Sequence, residues 1–511
     1  MATRSLPDKY YGENGIHRVP LWRIAGFALN NTATNMYMLL MNFVAYYFQG
    51  FLGIATVTAS SIAMIMRIWD GVTDPFIGMC VDRTDGKFGK NRPFMIIGQI
   101  ILCVTSFIMF HLVVLLPEGV RFPVFLVVEA LYYIGYTFQC VVTKSAQTAL
   151  TNDPKQRPLF SMFDGVYNTL LFSVVANVVF TNIATSHENG FFDQATWNDM
   201  WLVTAIVAAV FTAIAVISIW PKDRTEFFGT CKKAEKVGLK DYWNTIKGNK
   251  ALQMLIISAS SDKLASTMKT STITIMLFAV LAGNYKINAS GPILFSTFAG
   301  AAICMLCVGG LATALGQRKA MLYGSWAGIA LNAGMILLWT FGDPTSMSVN
   351  GEIQLNYFMI IYVVLAILIA GAQGVSGNIV IPMTADCADY EVYRTGKYVP
   401  GMMGTIFSLV DKLISSFAPF ITGVLLSAIG FSTTMPNSST TLSDIVANGG
   451  VYEGQVINIG MVKPVTLFCA YGMLIVGLLC NVIALKFYPL TKEYMESIQE
   501  KIAEIKAKAA E

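Results

Sequence analysis

Residues 67–78 read Arg67-Ile-Trp-Asp70-Gly-Val-Thr-Asp74-Pro75-Phe-Ile-Gly78, and they sit inside an otherwise apolar stretch spanning 54–80. Spacings of three and four place Arg67, Asp70 and Asp74 on one face of a helix, with neighbouring Cβ atoms about 5–6 Å apart. At the centre of a membrane helix each such charge costs about 2.5–3.5 kcal/mol on insertion scales, so each needs a partner or a hydrated cavity. Two carboxylates this close in a low-dielectric site cannot both stay ionised without a counter-charge. Arg67 supplies one; a bound cation such as Na⁺, or a proton on one carboxylate, supplies the rest. Pro75 perturbs the helix just past the pair.

The sequence around this segment is that of a membrane protein. The 511 residues are 55% apolar and 13% charged, with mean hydropathy +0.57. Soluble domains carry about 25% charged residues, and here the charge gathers in short clusters between long apolar runs. Windows of about 20 apolar residues give twelve candidate spans. They lie at 22–49, 54–80, 93–116, 123–150, 159–185, 199–220, 251–282, 288–315, 320–341, 356–383, 400–430 and 464–489. The polar stretch Pro221–Lys250 divides them six and six. The expected organisation is therefore an N-terminal bundle over 1–220, a cytoplasmic linker over 221–250, a C-terminal bundle over 251–489 and a cytoplasmic tail over 490–511.

Basic residues set the orientation. The termini and alternate loops hold 25 of the 35 Lys and Arg, whereas the opposite loops hold Arg121, Lys286 and Lys463. The positive-inside rule puts both termini in the cytoplasm of a cell (inner) membrane protein. Residues 1–21 are polar and no small-residue cleavage site follows, so the first span is expected to be retained. In the tail, Ile498, Ile502 and Ile505 recur at helical spacing, which predicts a short amphipathic helix. Segment 431–463, rich in Ser, Thr, Asn and Gly, reads as a long external loop.

Composition removes several function classes. A net charge of +4 without a basic stripe gives nucleic-acid binding no support. The nine cysteines are scattered through apolar segments; Cys304 and Cys307 form a C-x-x-C inside a helix, where small-residue packing is the better reading. The histidines His17, His111 and His187 form no ligand set. Neither His-Glu-x-x-His nor Gly-x-Ser-x-Gly occurs, which leaves an intramembrane enzyme without a motif. No resident metal or cofactor is expected.

Setting aside charges at span ends such as Arg23 and Lys486, eleven lie within spans: Arg67, Asp70, Asp74, Glu129, Lys144, Asp164, Asp262, Lys263, Lys269, Asp411 and Lys412. So many imply a hydrated interior. Lys144 and Asp164 flank the short loop 151–158 and could meet at similar depth as a pair, or face a cavity independently. Asp411 and Lys412 point about 100° apart and cannot both face one point. Among polar residues, Gln147, Asn168, Gln373 and Asn378 could hydrogen-bond hydroxyls of a bound molecule or neighbouring helices. Trp69, Tyr133, Tyr136 and Tyr167 could stack on a ligand ring, although packing is the commoner use of such residues.

The stretch from Arg67 to Gly78, continuing through Asp82-Arg83-Thr-Asp-Gly86 to Gly89-Lys90-Asn-Arg92-Pro93, resembles the signature of the glycoside–pentoside–hexuronide:cation symporters of the major facilitator superfamily. A second match lies in the other half: Ala385-Asp386-Cys-Ala-Asp389-Tyr390, Thr395-Gly396-Lys397, Gly401 and Asp411-Lys412. The resemblance implies an all-α major facilitator fold of two six-helix bundles, with alternating access around a central substrate site. It implies symport of a sugar or glycoside with Na⁺, H⁺ or Li⁺. Asp70 and Asp74 match the family's cation-site carboxylates, and Lys412 matches the lysine of its eleventh span. Asp82, Arg83, Gly89, Lys90, Arg92, Asp386, Asp389 and Tyr390 match its cytoplasmic gate. Gly316-Gln-Arg318-Lys319 looks like a second-half echo of Gly89–Arg92.

Departures from the melibiose carrier bear on specificity. The third cation-site acid falls on Cys140, the sugar-stacking tryptophan on Lys144, and the fifth-span arginine near Gly165 beside Asp164. The first-span acid falls near Thr34, among Asn30, Asn31 and Asn35. Two readings follow. Lys144, one turn beyond Cys140, could reach the Asp70/Asp74 site and replace a metal ion, leaving H⁺ coupling or none. The second is that Lys144 and Lys412, with Lys263 or Lys269, suit an anionic sugar such as a hexuronide. Asn31, Thr34, Asn35, Lys144, Gln147, Asp164, Gln373 and Lys412 are the candidate substrate contacts. A non-sugar cargo (lipid, nucleoside or organic anion) and a transport-inactive sensor are the competing functions. The expected partners are a small-molecule substrate and membrane lipid.

Overall fold

The computed structural model describes residues 17–83, 88–151, 156–223, 246–269, 271–395, 410, 412–491, 493–495, 497–498 and 501. It divides into two compact units, Met1–Lys233 with Asn437–Ser439, and Ala234–Pro436 with Thr440–Glu511. Each of the twelve apolar stretches overlaps a helix. Among the described residues seven helices are long and apolar enough to cross a membrane, and Lys250–Met268 with Ser271–Leu281, bent by 49°, makes an eighth. Gly291–Cys304 and Lys412–Ala428 are shorter apolar helices. The linker positions 224–245 and the tail positions Ile502 and Ile505 lie outside the described residues.

The first unit contains α1 (Leu21–Met41), α2 (Val44–Leu52), α3 (Thr56–Arg83), α4 (Arg92–Phe107), α5 (Glu118–Leu150), α6 (Arg157–Leu170), α7 (Thr181–Ser186) and α8 (Gln194–Ile219). The span read at 22–49 is thus two helices, broken at Asn42–Phe43. A π-helical segment, Leu171–Phe180, joins α6 to α7, and a shorter one, Ile108–Leu112, extends α4. The face that each helix buries follows residue size. On α8, Leu202, Ile206, Val210, Ile214 and Ile217 form an exposed stripe at helical spacing, which water would penalise and acyl chains accept. The opposite face carries buried Ala205, Ala208, Thr212, Ala215 and Ser218. These let α1 approach so closely that a Cβ on Gly26 would stand 2.2 Å from Ser218 Oγ.

The second unit contains α9 (Lys250–Met268), α10 (Ser271–Ile275), α11 (Gly291–Leu315), α12 (Gln317–Phe341), α13 (Tyr357–Thr395), α14 (Phe417–Ala428), α15 (Leu442–Ala447), α16 (Ile459–Leu467) and α17 (Met473–Phe487). Small residues again set the closest approach: a Cβ on Gly374 of α13 would stand 1.9 Å from Cys304 Sγ on α11. Cys304 is therefore a packing residue, while the side chain of Cys307 lies outside the described residues. At 39 residues α13 is about 58 Å long. That exceeds a hydrocarbon core of about 30 Å, so the Asp386–Tyr390 motif near its end lies beyond the membrane.

Two peripheral regions are more ordered than their sequences suggest. Segment 431–463 contains α15, capped by Thr441 at its Asp444 N–H, and a hairpin pairing Val451–Tyr452 with Gln455–Val456. Buried Phe431, Met435, Ile445 and Ile457 anchor it. In the tail, Ile498 is 1% exposed and packs with Leu485, Tyr488 and Leu490.

Candidate functional site

Three polar centres emerge inside the two units. The first joins α3 to α5. Asp70 is 7% exposed, and its carboxylate accepts a hydrogen bond from the Thr137 hydroxyl at 3.0 Å. Thr73, three residues along α3, donates to the Asp70 carbonyl at 2.9 Å, and its hydroxyl lies 3.4 Å from that of Thr137. A Thr at i+3 back-bonding its own helix leaves Asp70 Oδ1 to the neighbouring helix, which is how the local sequence aims the acid. Asp74 is half-buried one turn further on. Arg67 interacts electrostatically with Tyr133, and Tyr136 with both Asp70 and Cys140. The Cys140 position is thus tied through Tyr136 to Asp70. The Lys144 side chain lies outside the described residues.

The second centre joins α1 to α6. The Asn31 amide donates to Asp164 Oδ1 at 2.7 Å, and the Asn35 amide donates to Asn168 Oδ1 at 2.7 Å. Two residues four apart on one helix meet two four apart on the other, so the ladder is fixed by helical period alone. Asn168 also bonds Asp164. Asp164 is accordingly held by amides of α1 and of its own helix. Thr34 points elsewhere: it is 1% exposed and returns its hydroxyl to the Asn30 carbonyl at 2.9 Å. Asn30 bonds Thr143 of α5 at 2.8 Å.

The third centre is a pair of loop clamps. In the first unit Asp223, just past α8, is fully buried. Its carboxylate accepts from the backbone N–H groups of Lys90 (3.3 Å), Asn91 (3.0 Å) and Arg92 (2.9 Å), from Asn91 Nδ2 (2.9 Å) and from Arg92 Nε (3.2 Å). The Arg92 guanidinium also lies 4.5 Å from the centre of the Trp220 ring. Gly89 has φ +93°, and a Cβ there would stand 2.2 Å from Asp223 Oδ2, so both conformation and space require glycine. In the second unit Gly316 has φ +79°. Arg318 donates from Nε to the Leu485 carbonyl at 3.0 Å and from its NH2 nitrogen to the Lys486 carbonyl at 3.3 Å. Each glycine–arginine loop is pinned to the end of the last long helix of its own unit.

The other candidates are dispersed. Asp386, Asp389 and Tyr390 share the projecting end of α13, where Tyr390 lies 6.4 Å from the ring of Tyr494 in the tail. Burial, and secondarily the neighbouring Asp389, push the Asp386 carboxyl up to about 6. One turn on, buried Glu391 binds Arg394 at 2.8 Å and the Asn249 amide at 3.0 Å. Gln147, Gln373 and Lys412 are half-buried on α5, α13 and the approach to α14. The side chains of Asp82, Arg83, Asn378 and Asp411, and positions Gly86, Gly396, Lys397 and Gly401, lie outside the described residues. Of the aromatics, Trp69 donates to the Ala130 carbonyl at 3.3 Å and Tyr136 to Met38 Sδ at 3.2 Å. Both serve as helix-to-helix ties. The sequence reading passed over Thr137 and Asp223, since a lone Thr in a span and a lone Asp in a polar linker carry no pattern.

Comparison with known proteins gives one family model, described as MFS/sugar transport protein, matching residues 26–486. The chain is 23% identical over 490 residues to a protein of Escherichia coli named glucuronide carrier protein homolog, covering 94% of this chain and 95% of that one. It is 24% identical over 450 residues to the isoprimeverose transporter of Lactiplantibacillus pentosus, covering 85% and 86%. A shorter match, 30% over 200 residues, covers 37% of this chain and 30% of the lactose permease of Leuconostoc lactis. Among solved structures, the nucleoside transporter NupG superposes with a TM-score of 0.56 at 12% identity, covering 93% of this chain and all of that one.

Proposed function

The chain belongs to the MFS/sugar transport protein family, and on that premise we propose that it is a cation-coupled symporter of a sugar, glycoside or uronide. It is a multi-pass membrane transporter and not an enzyme. Twelve spans in two six-helix halves, both termini in the cytoplasm of the inner membrane and alternating access complete the proposal. The linker then occupies 221–250 and the tail 490–511. Relatives named for glucuronide, isoprimeverose and lactose support a glycoside as cargo.

The observation that carries the coupling assignment is Asp70: a carboxylate 7% exposed within a membrane helix and gripped by Thr137 from the next. Coupling belongs to Asp70 and Asp74, with Arg67 and Lys144 as neighbouring cations. Substrate recognition belongs to the ladder of Asn31, Asn35, Asp164 and Asn168, whose amides and carboxylate offer both donors and acceptors to hydroxyl groups. Gln147, Gln373 and Lys412 remain further contacts, and Lys144 and Lys412 favour an acidic sugar. Gly89, Lys90 and Arg92, with Asp82 and Arg83, form the cytoplasmic gate together with Asp386, Asp389 and Tyr390.

The test is uptake into proteoliposomes with imposed Na⁺ or H⁺ gradients, using a panel of neutral and acidic glycosides. D74N should abolish gradient-driven accumulation while sugar exchange persists. Acceleration by a Na⁺ jump at fixed pH and potential would refute the idea that Lys144 replaces the metal. Competition by neutral glycosides but not by uronides would refute the anionic-sugar reading. Failure of the whole panel to exchange would refute sugar symport.

A further inference from the structure

Glu129 lies midway along α5, fully buried, and neither of its carboxyl oxygens has a hydrogen-bond partner among the described residues. One turn toward the Glu118 end, the proposed outer side, Phe125 packs against Tyr47, Phe48 and Phe110 with ring centres 5.0–6.3 Å apart. This aromatic layer separates Glu129 from the outer surface. One turn the other way, the Tyr132 and Tyr133 rings stand edge to face at 5.5 Å. Both interact electrostatically with Glu129 and with Asp70, and Tyr133 falls one turn from each of Glu129 and Thr137, the residue that binds Asp70.

The charged and titratable groups around this layer can be named. From α3 they are Arg67 and Asp70, which act on Tyr133; from α1, Tyr37, which acts on Tyr132. From α2 there is Tyr47, on which Arg121 of α5 acts. No cation among the described residues acts on Glu129 itself. An ionised carboxylate buried without donor or cation costs several kcal/mol, whereas a carboxylic acid avoids most of that. A structural role for a carboxyl would show as a hydrogen bond, and both oxygens lack one among the described residues.

We propose that Glu129 is a second proton-binding site of the transport cycle, holding its proton in this conformation and releasing it when water passes the Phe125 layer. On release the Glu129 O–H bond breaks and the proton goes to an entering water as hydronium. Inward transfer would instead deliver it to an ionised Asp70, leaving Glu129 as the carboxylate and Asp70 neutral. This rests on the symport reading and extends it, since it makes a proton a coupling ion at a site one layer outward of Asp70.

The test uses the full-length protein in proteoliposomes. For one-proton symport, a gradient of one pH unit supports about tenfold glycoside accumulation. E129Q, which imitates the protonated acid, should reduce that accumulation to none while counterflow, which moves no net proton, persists. E129D should restore accumulation. Independently of any sugar, infrared spectroscopy at neutral pH should show a protonated-carboxyl band in wild type that E129Q lacks. Accumulation by E129Q equal to wild type would overturn the proposal, as would a carboxyl band unchanged by E129Q. A wild type that exchanges no glycoside would instead overturn the symport reading, with the infrared band still deciding the protonation of Glu129.

Discussion

Replacing Asp223 with Ala removes one carboxylate that serves five donors at the start of α4, and the consequence can be sized from the structure. The Asp223 side chain is fully buried and that of Arg92 is 11% exposed, so solvent does little to screen the pair. Truncating one member of a buried ion pair costs about 3–5 kcal/mol, because the partner charge stays behind uncompensated. Loss of an N-terminal helix cap, here the bonds from the Lys90, Asn91 and Arg92 N–H groups, typically costs about 0.5–2 kcal/mol, but the two overlap and do not add. The expected loss for D223A is therefore about 3–5 kcal/mol in all. D223N keeps the shape but turns an NH₂ toward N–H donors, and should fall between. Unfolding in detergent is followed by tryptophan fluorescence, to which Trp220, its ring under the Arg92 guanidinium, contributes. A double-mutant cycle with R92A separates the pair from its surroundings; coupling of about 0.5–3 kcal/mol is expected. A D223A variant within about 0.5 kcal/mol of wild type, the range of an ordinary surface change, would refute the clamp.

Asn31→Ala should cost about 1.5–3 kcal/mol by leaving the Asp164 carboxylate short of its 2.7 Å donor, and it should weaken glycoside counterflow more than it lowers yield. Asp386, pushed up to about 6 by burial and by Asp389, fits the folded chain better as the neutral acid. Its contribution to stability is thus full below its ordinary carboxylate range and is lost as pH rises through about 6. D386N, neutral throughout, should flatten that fall in a thermal-unfolding series over pH, and an unchanged profile would remove Asp386 as its source. Ile498→Ala should cost about 2–5 kcal/mol if the tail packs as part of the fold. A neutral result in chemical denaturation would mark the tail as an appendage.

The membrane character was legible because lipid imposes a periodless apolar run of fixed length, which a sequence displays directly. Asp70 and Asp74 were legible for the converse reason: a charge in such a run is conspicuous. What the sequence withheld is pairing between segments far apart in the chain. Lys144 and Asp164, read as a possible pair across a short loop, are adjacent in sequence terms. The Lys144 side chain lies outside the described residues, so that pair stays open; what the structure adds is Asn31, more than a hundred residues upstream of Asp164, an amide with no charge signal to announce it. Thr34 matched a family position, but helical geometry turns it into its own backbone and leaves Asn31 and Asn35 to face α6. The loop 431–463 hid its order because short capped turns depend on single residues such as Thr441 rather than on a repeat.

The two clamps also show how one motif can be built from opposite electrostatics. In the first unit the loop brings the N-terminus of α4, with its unpaired N–H groups and positive end, onto a carboxylate. In the second, the Arg318 guanidinium is brought to the carbonyls at the C-terminus of α17, the negative end of that helix. Both arrangements satisfy helix-end groups, and both use a glycine at positive φ to turn the loop. They differ in strength. A buried ion pair fails abruptly when either partner is removed, whereas an arginine on carbonyls loses about 1.5–3 kcal/mol per charged hydrogen bond.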